Sequence, residues 1–180
     1  MSEECSQNKQ IEVLFDAAKI AARTQALAGE IKAAGFTNLL VVPILKGSFV
    51  FGADLLRALH AAGLEIEVDF IFLASYRDKM SSSGKIEVLR EITTDVQGRD
   101  VLLVDDILES GRTLAFAKDL ISARGANRVA SCVLLDKPSG RTVDFSADFC
   151  GFECPDVFVI GYGMDLANRY RELPYVGRIV

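Results

Sequence analysis

Apolar residues in this chain fall into two kinds of run, one at helical spacing and one unbroken, and the two kinds alternate. Between Asp16 and Gly35, the positions Ile20, Leu27 and Ile31 line one face at helical spacing. Asp16 can cap the start of that helix and Gly35 can close it, which predicts a helix over Ala17–Ala34. The next run, Leu39–Leu45, is continuous and apolar, as in a strand covered on both faces. Phe51, Leu55 and Leu59 then recur four apart, predicting a helix over Ser48–Ala62. Glu65–Ala74 reads as a strand, and Lys85–Ile92 as a strand returning beside it. The stretch between them, Tyr76–Gly84, offers only Met80 to a core, so the pair is expected to form a long hairpin with a mobile tip.

Gln97–Arg99 makes a turn before Val101–Val104, a second fully apolar strand, and a helix is predicted over Arg112–Arg124. Further strands are predicted at Arg128–Leu135, Ala147–Phe152 and Val157–Tyr162. Repeated strand-helix-strand steps of this length build an α/β fold with a mostly parallel central sheet and helices on both faces. The 180 residues fit one domain with a substantial core. In such sheets ligands gather beyond the carboxyl ends of the strands. Each chemically suggestive segment of this chain begins where a predicted strand ends.

Composition narrows the class. A net charge of −5 argues against a nucleic-acid binder, which would carry a basic face. The longest apolar runs are too short to cross a bilayer. The first ten residues are polar and acidic and lack the apolar stretch of a secretory signal, so a cytoplasmic protein is expected. Cys5, Cys132, Cys150 and Cys154 read as free thiols. Cys150 and Cys154 lie close together, but with His60 the only histidine there are too few ligands for a structural zinc.

The most informative segment runs from Val101 to Leu114. Four apolar residues lead into Asp105 and Asp106, then Ile107, Leu108, Glu109, Ser110, Gly111, Arg112 and Thr113 enter a predicted helix. Gly111 lets the backbone turn tightly, so that successive N–H groups can converge on an anion. The helix N-terminus and the hydroxyls of Ser110 and Thr113 add to a phosphate cradle. Two acids in front of such a cradle suit the hydroxyls and metal of a sugar phosphate.

This pattern resembles the phosphoribosyl-pyrophosphate signature of type I phosphoribosyltransferases. The resemblance implies that Asp105 and Asp106 bind the ribose hydroxyls, and that Glu109 to Thr113, with the Ser110, Gly111, Arg112 and Thr113 positions, hold the 5′-phosphate. Three more segments resemble the hypoxanthine-guanine branch of that family. Leu45-Lys46-Gly47-Ser48 is similar to its pyrophosphate loop, in which the peptide before the lysine is often cis. Lys137, at the end of a buried strand, could donate to the O6 of a 6-oxopurine, where adenine would offer a second donor instead. Phe158-Val159-Ile160-Gly161-Tyr162-Gly163 and the Asp165 and Arg171 that follow complete the resemblance. They imply a ring stacked on the base, a backbone reading of its edge at Val159, a magnesium ligand at Asp165 (with Asp105) and a pyrophosphate contact at Arg171.

The resemblance further implies one domain over 1–180, with a closing lid at about 75–85 that begins Ser75-Tyr76 and a base-binding hood at about 137–180. A lid would exclude water from an oxocarbenium-like sugar. Magnesium is the implied cofactor, phosphoribosyl pyrophosphate and a 6-oxopurine the implied partners, and a dimer or tetramer the implied assembly. The expected reaction is purine salvage, forming a nucleotide and pyrophosphate. Glu109 stands where most members have aspartate, near N7 of the base, and its role is expected to be proton handling. A repressor sensing the same ligand would need an added DNA-binding module, for which 180 residues leave no room.

Overall fold

The computed structural model describes residues 10–76 and 85–180. In chain order their elements are β1 (Ile11–Phe15), α1 (Ala17–Ala33), β2 (Leu40–Leu45), α2 (Phe49–Ala61), β3 (Glu67–Val68), β4 (Ile71–Tyr76), β5 (Lys85–Arg90) and β6 (Asp100–Leu108). Then come α3 (Arg112–Ala123), β7 (Arg128–Asp136), a 3-10 turn at Pro138–Gly140, β8 (Phe149–Glu153), β9 (Val159–Ile160) and β10 (Val176–Ile179). The central sheet runs β5-β4-β2-β6-β7-β8, with β3 also on β2. Its pairings are parallel except that of β4 with β5. The expected α/β class with a mostly parallel sheet is the observed one.

Alternation along the strands divides the core between two faces. Val41, Leu102, Val104, Cys132 and Leu134 are buried with Ile20, Leu27, Phe51 and Leu55 of α1 and α2. Leu40, Val42, Val101, Leu103 and Val133 are buried with Leu114, Ala117 and Ile121 of α3. Each fully buried leucine of this kind is worth about 1.5–3 kcal/mol against exposure. The helix ends follow their local signals. Asp16 accepts a hydrogen bond from Lys19 N at 2.8 Å, and Gly35 takes φ +68 just beyond α1. No described helix is long and apolar enough to cross a membrane.

Three predicted strands are redrawn. Glu65–Ala74 is two strands, β3 and β4, parted at Asp69 and Phe70. The Asp69 carboxylate causes the break by accepting from the backbone N–H groups of Phe70, Thr93 and Thr94 at 2.7, 2.8 and 2.9 Å. The strand placed at Val101–Val104 continues to Leu108, because β7 stays paired with it after β2 has left. Val157–Tyr162 shortens to Val159–Ile160, since Gly161 and Tyr162 turn away at φ +94 and +50. Two strands were not anticipated. β1 and β10 pair with each other and, through β10, with β9 as a second, antiparallel sheet.

Burial works against the Asp69 carboxylate, but the N–H groups of Thr94, Phe70 and Thr93 outweigh it and lower its pKa to about 2. A carboxylate depressed below its ordinary 3.8 stabilises the fold above that pH, and the stabilisation is lost as pH falls from about 4 to about 2. Asp69→Asn should therefore flatten the acid limb of a melting-temperature titration. The expected effect is on the order of 1 kcal/mol after solvent screening. An unchanged acid limb would assign the lability to other carboxylates.

Candidate active site

Pairing of β2 with β6 stops at Val104, so the next residues of β6 stand where the sheet opens. A cavity of about 540 Å³ lies there, bounded by Lys46 and Gly47, by Asp105 and Asp106, and by the turn from Glu109 to Thr113. Asp105 is buried. Its Oδ1 accepts from Asp106 N at 3.0 Å, and Asp106 Oδ1 accepts from Ile107 N at 2.8 Å. Burial, and then the neighbouring Asp106 carboxylate, hold Asp105 well above the usual carboxylate range. Burial raises Asp106 too, against its hydrogen bonds and the positive charge of Arg171. Two acids crowded in this way favour hydroxyl donors or a cation beside them.

Lys46 and Gly47 close one wall. The Leu45–Lys46 peptide is cis. Gly47 is required by space, since a Cβ there would lie 1.9 Å from Asp106 Oδ2. Opposite, Gly111 caps α3 in the left-handed conformation at φ +82. Ser110 Oγ accepts from Arg112 N at 3.3 Å, and the Ser110 carbonyl accepts from Thr142 N and Val143 N at 3.0 and 3.2 Å. Arg112 Nε donates to Thr142 Oγ1 at 3.2 Å. The cradle residues Ser110, Gly111, Arg112 and Thr113 all border the cavity.

Lys137 leaves the end of β7 and is only 8% exposed. Its Nζ lies 2.8 Å from Glu109 Oε1 and 3.2 Å from Asp156 Oδ1. The Glu109 hydrogen bond is the main cause that raises the ammonium pKa, in spite of burial. Two residues beyond Asp156, Phe158 is 60% exposed, whereas Val159 is buried in β9. An aromatic ring left this open is a free stacking face, which sets it apart from the core phenylalanines.

The Gly161-Tyr162-Gly163 turn joins the third group of residues to the first. Gly163 has φ +101, and a Cβ on it would meet the Gly47 carbonyl oxygen at 2.2 Å. Tyr162 Oη donates to Asp54 Oδ2 of α2 at 2.6 Å. Arg171 donates to the Gly163 carbonyl at 2.5 Å and pairs with Asp165 at 2.7 Å, while Asp165 Oδ2 also accepts from Asn168 N at 2.7 Å. Asp106, Gly47, Gly163, Arg171 and Asp165 thus form one series of direct contacts. Ser75 and Tyr76 end β4 opposite Ile86 and Lys85. Their side chains, and residues 77–84 of the lid expected at about 75–85, lie outside the described residues.

Several contributors escaped the sequence reading. Arg141 donates to the Glu109 carbonyl at 3.0 Å, and also to the Asp136 carboxylate and the Phe145 carbonyl. It ties the cradle to the end of β7. Asp156, Gly140 and the Tyr162–Asp54 contact were likewise unmarked, because each acts through a partner remote in sequence. A larger cavity of about 1100 Å³ lies between α1, α2 and residues 171–174. Among the described residues its lining holds no neighbouring pair of acids and no part of the turn from Glu109 to Thr113. Cys132, Cys150 and Cys154 are free thiols. Among the described residues no cluster of three or more His, Cys, Asp or Glu makes a ready metal cage. The carboxylates of Asp105 and Asp165 are nonetheless hard oxygen donors, of the kind magnesium takes together with substrate phosphates.

Comparison with known proteins agrees with this geometry. The family model for the phosphoribosyl transferase domain matches residues 10–167. A hypoxanthine phosphoribosyltransferase of Salmonella typhimurium is 42% identical over 174 residues, covering 94% of this chain and 96% of that one. A hypoxanthine-guanine phosphoribosyltransferase of Bacillus subtilis is 45% identical over 138 residues, covering 77% of this chain and 75% of its own. The crystal structure of a hypoxanthine phosphoribosyltransferase from Staphylococcus aureus superposes with a TM-score of 0.89 at 32% identity, over 100% of this chain and 97% of that one. The chain belongs to the phosphoribosyltransferase family. Within it, the chain falls in the hypoxanthine and hypoxanthine-guanine branch, and it is an enzyme of purine salvage.

Proposed function

We propose that this enzyme transfers the phosphoribosyl group of phosphoribosyl pyrophosphate to hypoxanthine, and also to guanine, releasing pyrophosphate. The observation that carries this reading is the junction of a buried and a half-buried acid, Asp105 and Asp106, with a glycine-turned cradle, and of that cradle, through Glu109, with Lys137. Asp105 and Asp106 hold the ribose hydroxyls. The backbone from Glu109 to Thr113, with the Ser110 and Thr113 hydroxyls, holds the 5′-phosphate. Lys46, Gly47 and Arg171 face the pyrophosphate and take up its charge as it leaves. Magnesium, held by Asp105 and Asp165, would neutralise the same leaving group.

On the base side, Lys137 donates to O6, Phe158 stacks on the ring and the Val159 backbone reads the far edge. As a purine nitrogen bonds to the anomeric carbon and the bond to pyrophosphate breaks, Glu109 accepts the proton at N7. Ser75, Tyr76 and the segment after them serve as the lid that keeps water from the cationic sugar. Positioning and charge supply most of the acceleration, since the protein forms no covalent bond. We place the enzyme in the cytoplasm as a dimer or tetramer.

The test is nucleotide formation from phosphoribosyl pyrophosphate and magnesium, with hypoxanthine, guanine, xanthine and adenine offered separately. Rapid turnover of hypoxanthine and guanine with adenine inert is the expected result. Tight binding of phosphoribosyl pyrophosphate without turnover of any base would leave the cradle standing and overturn the acceptor assignment.

A further inference from the structure

The 3-10 turn that follows Lys137 contains a glycine whose backbone does not need one. Gly140 lies outside the left-handed region, which elsewhere in this chain explains Gly35, Gly111 and Gly163. What it lacks is room. A Cβ at Gly140 would lie 2.4 Å from Glu109 Cγ, 3.2 Å from Cδ and 3.3 Å from Oε1. Glu109 is therefore seated on the bare face of Gly140, and from that seat its Oε1 reaches Lys137 Nζ at 2.8 Å. The same short turn fixes every member of the arrangement. Gly140 N donates to the Lys137 carbonyl at 3.3 Å, and Arg141 Nε donates to the Glu109 carbonyl at 3.0 Å.

We propose that Gly140 is a positioning residue that accommodates glutamate at 109, and that Glu109, so seated, competes with the purine O6 for the Lys137 ammonium. The proposal rests on the base-site reading above. Lys137 has three N–H donors and a side chain only 10% exposed, with Glu109 and Asp156 already on it. An oxopurine O6 can take the third donor, but it then shares an ammonium whose charge Glu109 already engages at 2.8 Å, whereas Asp156, with 72% of its side chain open, is the partner that water screens. Aspartate at 109 would fall short of Lys137 by about one C–C bond, roughly 1.5 Å, and leave the ammonium available. The extra methylene of Glu109 and the missing side chain of Gly140 are thus one coupled feature that sets affinity for the base.

The experiment measures the dissociation constant of inosine monophosphate by calorimetry, which needs no chemical step, in Glu109→Asp, Gly140→Ala, the double variant and Lys137→Met. Steady-state KM and kcat are measured alongside. Glu109→Asp should bind the nucleotide about 3- to 10-fold more tightly, the scale of one partly exposed ion pair. It should also lower KM for hypoxanthine, with KM for phosphoribosyl pyrophosphate unmoved. Gly140→Ala, which pushes Glu109 off its seat, should tighten binding in the parent and have no further effect in Glu109→Asp. Equal or weaker binding in Glu109→Asp would overturn the proposal, because the contact would then hold Lys137 ready rather than occupy it. So would an effect of Gly140→Ala that persists unchanged in the double variant. If Lys137→Met leaves nucleotide binding intact, the base-site reading itself fails, and that outcome is distinct from the other two.

Discussion

Gly163→Ala should lower kcat/KM for phosphoribosyl pyrophosphate by about 10²-fold or more and cost about 1–3 kcal/mol of stability. Two separate penalties meet at this residue. Its φ of +101 strains any side chain, and the added Cβ would lie 2.2 Å from the Gly47 carbonyl oxygen. Gly47 has no room to retreat, because its own Cα already abuts the Asp106 carboxylate so closely that a Cβ would stand 1.9 Å from Oδ2. Displacement therefore passes into the pyrophosphate loop and the ribose acids together. It also shifts the carbonyl that accepts from Arg171. Gly98→Ala is the matched control. Gly98 has φ +71 but nothing within 4 Å of the added carbon. It should lower the melting temperature with kinetics unchanged. Parent-like kcat/KM in a folded Gly163→Ala enzyme would remove the Gly47 loop from the site.

The two cases also mark what a sequence displays. Gly111 could be read as a cradle glycine because its acids, hydroxyls and helix are contiguous, so local spacing carries the whole device. The apolar runs of β2, β6 and β7 were equally legible, since a strand buried on both faces must be apolar throughout. The end of β6 was not. An apolar run stops at Asp105, but pairing with β7 continues to Leu108, and the acids stay inside a strand whose other neighbour has gone. That half-open stretch lets two successive strand residues border one cavity. The crowding of Gly163 on Gly47, the seat of Glu109 on Gly140 and the pairing of β1 with β10 are encoded by residues far apart in the chain. No periodicity registers them. The split of the Glu65–Ala74 run has the same origin, because Asp69 is bound by Thr93 and Thr94 across the hairpin.

Lys137→Met should separate recognition of the base from binding of the sugar phosphate. Methionine keeps the length and most of the volume of lysine but has no donor. The O6 of hypoxanthine would then be desolvated without a partner, close to the carboxylates of Glu109 and Asp156 that Lys137 now neutralises. A site built to hydrogen-bond a substrate discriminates strongly when the pairing fails, and a fall of about 10²- to 10⁴-fold in kcat/KM for hypoxanthine is expected. Adenine should stay near its own low rate. Its 6-amino group no longer meets a competing donor, but its unprotonated N7 still faces the carboxylate of Glu109. The ratio of hypoxanthine to adenine turnover should therefore collapse. KM for phosphoribosyl pyrophosphate should hold, since the cradle is anchored independently by Arg141 and Thr142. Stability should change little, because the two carboxylates left without the ammonium, Glu109 and Asp156, keep 37% and 72% of their side chains open to water. The measurement is kcat/KM for the two bases side by side, with melting temperatures to confirm folding. A ratio that survives the substitution would mean that something other than Lys137 reads the 6-position, and the backbone beside Val159 would be the next group to test.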